Sequence, residues 1–170
     1  MNLKQSVLEV PDYPKAGVRY KDITPLLTDA AAFTRAIEAM AEPVHSLQPT
    51  HVLGLESVGF IFGAALAMKL GLGFVPARRP GKLPRPTFAE AYNSSVGEES
   101  LEIHQDAFRA GDRVLIVDDV LATGATACAA RSAVERTGAH PLALTVFIEL
   151  TFLPGREKLS GLPVFSVLRY

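Results

Sequence analysis

The run VLIVDDVLATGATA, residues 114–127, constrains the fold of this chain more than any other feature. Its first four residues are apolar and predict a buried β-strand, and two aspartates follow where that strand ends. The small-residue turn LATGATA then opens a helix. Ligands in an open parallel sheet bind at the carboxyl ends of the strands, so this unit predicts an α/β fold with a binding site at residues 118–126.

Strands and helices alternate along the rest of the chain. Continuous apolar runs predict buried strands at residues 51–55, 73–77, 113–119 and 141–150, and an edge strand at 163–170. Helical spacing predicts helices at residues 1–10, 29–48, 60–70 and 124–137, and a short helical turn at 155–159. Asp29 is the expected N-cap of the second helix, and Pro43 is expected to end or kink it. This order predicts a single domain, residues 1–170, with a largely parallel twisted sheet flanked by helices on both faces.

The segment from Arg78 to Ser100 interrupts this alternation. It contains three prolines and two glycines and shows no helix or strand periodicity, so we predict a long mobile loop. Loops of that length in compact domains are usually functional or disordered. Residues 101–108, LEIHQDAF, alternate enough to predict a strand directly after it.

Composition excludes several classes of protein. The net charge is −1 and the isoelectric point about 6.4, so no global field favours nucleic acid or an anionic membrane as a partner. The longest apolar-rich stretch, residues 60–72, includes Lys69 and is too short to span a bilayer, and the N-terminus does not resemble a signal peptide. Cys128 is the single cysteine, so an intrachain disulfide is impossible and a soluble protein of the reducing cytoplasm is expected.

The turn after the two aspartates has the chemistry of a phosphate site. Free N–H groups and the positive dipole end of a helix favour a phosphate dianion, and Thr123 and Thr126 add hydroxyl donors. Gly124 allows close backbone approach, and a side chain larger than that of Ala125 would collide with the ligand. Asp118 and Asp119 can accept hydrogen bonds from two vicinal hydroxyls or hold Mg²⁺ through water.

Phosphate and diol together indicate a ribose 5-phosphate. The alternative is an ordinary turn in which Thr123 caps the helix. A Walker A loop and the dinucleotide motif G-x-G-x-x-G are both absent, which disfavours an ATPase or an NAD-dependent dehydrogenase.

The signature of a hydrophobic strand, two acids and a Thr-Gly-rich turn resembles the type I phosphoribosyltransferases. Four further segments, in the same order along the chain, resemble the adenine-specific members of that family: PDYPKAGVRYKDITPLL, GFIFGAALAMKLGLGFVPARRPGKLPRPT, LEIHQDAFRAGDRV and ELTFLPGREKL. This resemblance covers most of the chain. It implies a type I phosphoribosyltransferase fold with an N-terminal hood at about residues 1–28 and a mobile loop at 78–103. It also implies a homodimer that uses Mg²⁺ and transfers a phosphoribosyl group from phosphoribosyl pyrophosphate to adenine, giving AMP and pyrophosphate.

The resemblance assigns a role to each candidate site residue. The 5-phosphate falls to Ala122, Thr123, Gly124, Ala125 and Thr126, and the ribose hydroxyls to Asp118 and Asp119. The pyrophosphate falls to Glu56, Ser57, Val58, Arg78 and Lys82, and the base to Arg19, Tyr20 and Lys21, with Tyr20 stacking from an early loop. Two alternatives remain: the cations of RRPGKLPR form a solvated surface, and Tyr20 packs in the core.

Three departures from the family pattern involve five residues. Val58 replaces an arginine that contacts pyrophosphate, and Arg19 and Lys21 replace an apolar residue and an arginine. Ser95 and Val96 replace a Glu-Tyr pair whose glutamate handles the proton of the base. Glu98 and Glu99 are the candidate catalytic acids instead, or they are merely solvated.

These departures leave three hypotheses for the function. The first is an enzyme of purine salvage that makes AMP from adenine. The second is a phosphoribosyltransferase for a 6-oxopurine such as hypoxanthine or guanine, whose carbonyl Arg19 could reach. The third is a catalytically impaired protein that binds nucleotides or phosphoribosyl pyrophosphate.

Overall fold

The computed structural model describes residues 2–94 and 97–170, and a five-stranded parallel sheet forms its centre. In spatial order the strands are β4 (Gly73–Ala77), β3 (His51–Leu55), β7 (Arg113–Leu121), β8 (His140–Glu149) and β9 (Val164–Arg169). Two antiparallel hairpins accompany it, one of β1 (Leu8–Pro11) with β2 (Arg19–Asp22) and one of β5 (Thr87–Ser94) with β6 (Gly97–His104). The predicted central strands and the predicted edge strand are therefore confirmed.

The helices are α1 (Thr24–Thr28), α2 (Ala30–Ala41), α3 (Gly59–Leu70), α4 (Ala125–Arg136) and α5 (Gly155–Lys158). Asp29 caps α2 as predicted, because its carboxylate accepts the N–H groups of Ala31 and Ala32 at 2.9 and 3.0 Å. Pro43 lies in the 3-10 helix Glu42–Leu47 that follows, so the predicted end of α2 is also confirmed.

Helices cover both faces of the sheet. On one face α2 and α3 pack against it, and Phe62 of α3 stacks on Phe147 of β8 with ring centroids 5.4 Å apart. On the other face the alanine-rich side of α4 and the β5–β6 hairpin cover Ile116 and Val146. Each large apolar side chain buried in this way contributes about 1.5–3 kcal/mol, which holds the carboxyl ends of the strands in fixed register.

The prediction of an irregular loop at residues 78–103 is wrong about its backbone, since residues 87–94 and 97–104 form the β5–β6 hairpin. Its register pairs Phe88 with Ile103 and Tyr92 with Glu99. The hairpin packs on α4, where the guanidinium of Arg136 lies 4.5 Å from the ring centroid of Phe88. The sequence did not predict β5 because its burial depends on contact with α4. The prolines before β5 also suggested a loop over the whole segment.

The prediction of a helix at residues 1–10 is also wrong. A short 3-10 helix, Leu3–Ser6, precedes β1, and β1 pairs with β2 so that Val10 lies opposite Tyr20. Tyr20 therefore belongs to a strand, not to an early loop. The ammonium of Lys21 lies over the ring of Tyr170 at 4.1 Å from its centroid, which ties this hairpin to the C-terminal end of the chain.

Within the part of the chain that the structure describes, every helix is too short or too polar to cross a membrane.

Candidate active site

The site lies where β7 continues past its neighbour β3. The last register pair between these strands is Gly54 with Val117, whereas β7 stays paired with β8 as far as Leu121. Asp118 and Asp119 therefore have β8 on one side only. Their other side opens toward the loops at the carboxyl ends of the strands, as predicted from the parallel sheet.

The turn after β7 presents helix amide groups without a side-chain cap. Gly124 occupies the N-cap position of α4 with φ of +79°, a left-handed conformation that glycine adopts without strain. The amide of Ala125 donates to Oγ1 of Thr123 at 3.5 Å, a hydrogen bond too long for an effective cap. The first turn of α4 thus has no strong side-chain cap, and it lines a cavity together with Asp118 and residues 122–124.

The two aspartates carry a strong electrostatic cost. Burial, followed by the negative charge of Asp119, raises the pKa of Asp118 well above its usual range, and burial also raises the pKa of Asp119. The amide N–H of Asp119 donates to Oδ1 of Asp118 at 3.0 Å and offsets part of that cost. A ligand that supplies hydroxyl donors or a cation would relieve it further.

A second cavity, of about 230 Å³, adjoins the acidic pair. Two elements line it opposite the aspartates: the β3 end with Glu56, and the β4 end with Arg78 and Arg79. Glu56 accepts the amide of Arg79 at 2.7 Å and the guanidinium of Arg78 at 3.4 Å. Desolvation opposes ionisation of Glu56, but these hydrogen bonds outweigh it and lower its pKa. Glu56 thereby holds the guanidinium of Arg78 and the backbone of Arg79 at the cavity wall.

Tyr92 of β5 closes this cavity from the hairpin side, together with Glu99 and Thr126. The pKa of Tyr92 is raised, mainly by burial and also by the charge of Glu99. A hydrogen bond with Thr126 and the charge of Arg79 offset part of this rise. Sequence reasoning did not select Tyr92. The usable signal was its alternation with Phe88 and Glu90, which places all three on the inward side of one strand.

Tyr20 borders a separate cavity of about 230 Å³, lined by Val10, Tyr13, Tyr20 and Asp22. Tyr13 and Tyr20 meet edge to face with ring centroids 5.2 Å apart. Tyr20 is 43% exposed, which disfavours plain core packing. Partial burial, followed by the charges of Asp119 and Asp22, raises the pKa of Tyr20.

Arg19 and Lys21, the other predicted base residues, both pair with Glu9 on the neighbouring strand. The side chain of Arg19 is 76% exposed, whereas that of Lys21 lies packed against Tyr170. Their side chains are thus committed to holding the β1–β2 hairpin together. The described lining of the Tyr20 cavity includes neither Arg19 nor Lys21.

The predicted acids on the hairpin lie at the cavities beside Arg79. Glu99 lines the cavity with Tyr92 and Asp118, and Glu98 lines the outer cavity with Glu99 and Arg79. The described lining of the Tyr20 cavity includes neither glutamate. Ser95 and Val96, which were predicted to replace the family Glu-Tyr pair, lie outside the described residues.

The other residues that the sequence assigned to pyrophosphate differ in burial and in their contacts. Val58 packs against the apolar cluster of α2 and α3, and Ser57 is exposed. Lys82 is exposed, and its backbone carbonyl accepts a hydrogen bond from Arg78 at 3.3 Å. Arg79, not assigned a role from the family pattern, lies in the cavity with Arg78.

A divalent cation would find two carboxylates here. Among the described residues there is no group of three or more potential metal ligands. Asp118 and Asp119 nevertheless fit Mg²⁺, which keeps several waters and usually binds through one or two carboxylates and the phosphates of its substrate.

Known proteins resemble this chain over its full length. Residues 26–158 match the phosphoribosyl transferase domain family. The adenine phosphoribosyltransferase of Carboxydothermus hydrogenoformans is 52% identical over 170 residues, covering 100% of both chains. The crystal structure of adenine phosphoribosyltransferase from Thermoanaerobacter pseudethanolicus is 46% identical with a TM-score of 0.96, covering 99% of this chain and 98% of that one.

A third relative was crystallised with ligands. It is adenine phosphoribosyltransferase from Saccharomyces cerevisiae, in complex with D-2,5-dideoxy-2,5-imino-altritol 1,6-bisphosphate and adenine. It is 39% identical with a TM-score of 0.93, covering 98% of this chain and 96% of that one.

Proposed function

The chain belongs to the phosphoribosyl transferase family, and on that premise we propose that it transfers the 5-phosphoribosyl group of phosphoribosyl pyrophosphate to adenine. The products are AMP and pyrophosphate, and the role is purine salvage. Full-length relatives that are about half identical to this chain are named adenine phosphoribosyltransferase, and one solved relative was crystallised with adenine. The 6-oxopurine alternative is not favoured.

The 5-phosphate binds at the turn of residues 122–126. The single observation that carries this assignment is the start of α4, where Gly124 leaves the first-turn amides without a side-chain cap. Those N–H groups and the helix dipole complement a dianion, and Thr123 and Thr126 add hydroxyl donors. Asp118 and Asp119, next to this turn, accept the two ribose hydroxyls.

Pyrophosphate binds in the adjoining cavity beside Arg78 and Arg79. Bond breaking at C1 of the ribose builds positive charge on the sugar and negative charge on the leaving group. The two guanidinium groups stabilise the leaving group, and the acidic pair stabilises the sugar. Glu56 fixes the guanidinium of Arg78 and the backbone of Arg79 through its hydrogen bonds. Lys82 contributes from the same segment, as the family resemblance implies.

The base stacks on Tyr20, and backbone groups of Arg19 and Lys21 hydrogen-bond its edge. Glu9 pairs with the side chains of both residues, which supports recognition through the backbone and directs neither of these two cations at a purine carbonyl. Glu98 and Glu99 are the only catalytic acids proposed on the described hairpin. Both glutamates lie beside Arg79 and not at the Tyr20 cavity. Proton transfer to or from the base therefore requires the hairpin to move toward the base.

Mg²⁺ is the proposed cofactor. Asp118 and Asp119 would hold it through water, and it would neutralise the pyrophosphate oxygens during departure. The raised pKa of Asp118, caused by burial and by Asp119, supports this role because a cation would restore the charged form.

A homodimer in the cytoplasm completes the proposal. Exposed apolar side chains lie on the N-terminal segment and on α3, namely Leu8 at 53%, Ile61 at 42% and Met68 at 85% exposure. A subunit interface would cover them. Cys128 is a free thiol, in keeping with a reducing compartment.

A competition assay tests base selectivity. Equal concentrations of adenine, hypoxanthine and guanine compete for limiting phosphoribosyl pyrophosphate, and the nucleotides formed are separated and counted. We expect AMP to exceed IMP and GMP by at least about 100-fold, because a site built on hydrogen bonds to one base edge rejects the other edge. Predominant IMP or GMP would support the 6-oxopurine alternative instead.

A further inference from the structure

Glu149, the last residue of β8, is a buried carboxylate that the proposed reaction does not use. It is 3% exposed, and three partners surround it. Arg156 donates to it twice, from Nε to Oε1 and from Nη2 to Oε2, both at 2.7 Å. Ser166 donates to Oε2 at 2.6 Å, and Nε of Arg169 lies 3.3 Å from the same oxygen. A buried charge with three partners fixes the positions of the backbone segments to which those partner residues belong.

Arg156 belongs to the short helix α5, whose first residue, Gly155, lies against the proposed phosphate turn, residues 122–126. A Cβ built on Gly155 would lie 2.4 Å from the carbonyl oxygen of Ala122. A Cβ built on Gly124 would lie 2.7 Å from the carbonyl oxygen of Gly155. The two backbones are therefore in direct contact, with no side chain between them.

Further contacts extend this support along the turn. The amide of Leu150 donates to the carbonyl of Leu121 at 3.0 Å, and the thiol of Cys128 lies 3.6 Å from the carbonyl of Lys158. Arg156 also donates to the carbonyl of Val164 at 2.9 Å, which connects α5 to β9. The segment from residue 150 to 158 thus contacts both ends of the turn.

We propose that Glu149 and Arg156 are positioning residues for the phosphate turn: their ion pair holds Gly155 beneath Ala122 and Gly124 and so fixes the amides that bind the 5-phosphate. This inference rests on the proposed function of that turn. The turn consists mainly of small residues, whose side chains cannot fix its shape, so the shape must come from a neighbouring segment. Binding of a ligand by several backbone amides depends on their spacing to within a fraction of an ångström.

The test compares ligands that use different parts of the site. Binding of ribose 5-phosphate, AMP and pyrophosphate is measured by calorimetry for wild type, Arg156→Ala and Arg156→Lys. We expect Arg156→Ala to weaken ribose 5-phosphate and AMP by about tenfold or more, with pyrophosphate changed less than about twofold. Arg156→Lys keeps one charge but loses the bidentate geometry, so it should recover part of the affinity.

Arg131→Ala is the matched control. Arg131 pairs with Glu135 at 2.9 Å and donates to the carbonyl of Ser160 at 3.3 Å, so its loss also removes an ion pair and a contact to the segment after α5. It does not touch Glu149 or Gly155 in the described contacts, and we expect it to leave all three affinities unchanged. If Arg156→Ala does not fold, Ser166→Ala removes one donor to the same carboxylate and should weaken ribose 5-phosphate about threefold.

Equal weakening of all three ligands, or unchanged affinity for ribose 5-phosphate in a folded Arg156→Ala variant, would overturn the positioning role. A wild-type protein that binds no ribose 5-phosphate would instead overturn the proposed function of the turn, and this inference with it.

Discussion

A methyl group added at Gly59 would lie 2.7 Å from Oδ1 of Asp118, so α3 begins directly against the first acid of the pair. The same methyl would lie 3.1 Å from the carbonyl oxygen of Val117. Only glycine allows the start of α3 to approach the end of β7 this closely. The position of Asp118 therefore depends on a residue four positions beyond the end of β3.

We predict that Gly59→Ala displaces Asp118 and raises the KM for phosphoribosyl pyrophosphate by about tenfold, because small misplacements of binding groups are costly. Gly63→Ala is the control, since its methyl would lie 2.9 Å from Cε2 of Phe74 and would crowd the core away from the acids. Both variants should lose about 1–3 kcal/mol of stability. Steady-state kinetics with thermal melts would separate the effects, and an equal rise in KM for both variants would contradict this account.

Arg79 offers a replacement for the arginine that this chain lacks at Val58. We predict that Arg79→Ala raises the KM for phosphoribosyl pyrophosphate by about 10- to 100-fold, since a charged hydrogen bond contributes about 1.5–3 kcal/mol. Val58→Arg should change the wild-type KM less than about threefold but restore part of the loss in the Arg79→Ala background. A large gain in kcat/KM from Val58→Arg alone would show that the native site is impaired.

Tyr20 tests the base site separately. Stacking of a base on an aromatic ring contributes about 1–3 kcal/mol, so Tyr20→Leu should raise the KM for adenine by about tenfold or more. Tyr20→Phe retains the ring and should stay within about twofold of wild type. The KM for phosphoribosyl pyrophosphate is the internal control and should change little in both variants. If Tyr20→Leu loses stability but keeps its KM for adenine, the residue serves packing alone.

Glu149 should make stability depend on acid pH. Its hydrogen bonds with Arg156, together with Ser166 and the nearby arginines, lower its pKa to about 2 from an ordinary value of 4.5. Because the folded pKa is the lower one, the stabilisation is fully present above the unfolded value and is lost as pH falls toward the folded value. The full contribution is about 3 kcal/mol.

The measurement is the free energy of unfolding in urea for wild type and Glu149→Gln. Between about pH 5 and pH 3 the wild type should lose about 2 kcal/mol more than the variant. Parallel pH profiles for the two proteins would show that Glu149 is not held in its charged form by the fold.

The sequence predicted the central sheet well because its signals are local. The apolar run of β7 and the glycine of the turn each determine their own backbone, and the two acids follow directly between them. The strand, the acidic pair and the turn to which we assign the ribose and the 5-phosphate were therefore predicted from a single segment.

Features that depend on distant partners were not predicted. The β5–β6 hairpin is buried by α4, more than twenty residues away, and its alternating pattern follows a proline-rich stretch. The ion pair between Lys21 and Glu9 forms because β1 and β2 pair residues that are twelve positions apart in the sequence. The approach of Gly155 to the phosphate turn joins two segments thirty residues apart, and no periodicity signals such a contact.

We propose that the site transfers the phosphoribosyl group and does not merely bind it. The most direct measurement follows adenine, AMP, pyrophosphate and ribose 5-phosphate together in one reaction with phosphoribosyl pyrophosphate and Mg²⁺. We predict that adenine disappears while AMP and pyrophosphate appear in equal amounts, with negligible ribose 5-phosphate. Pyrophosphate and ribose 5-phosphate without AMP, or no consumption of adenine by a protein that binds AMP, would contradict the account.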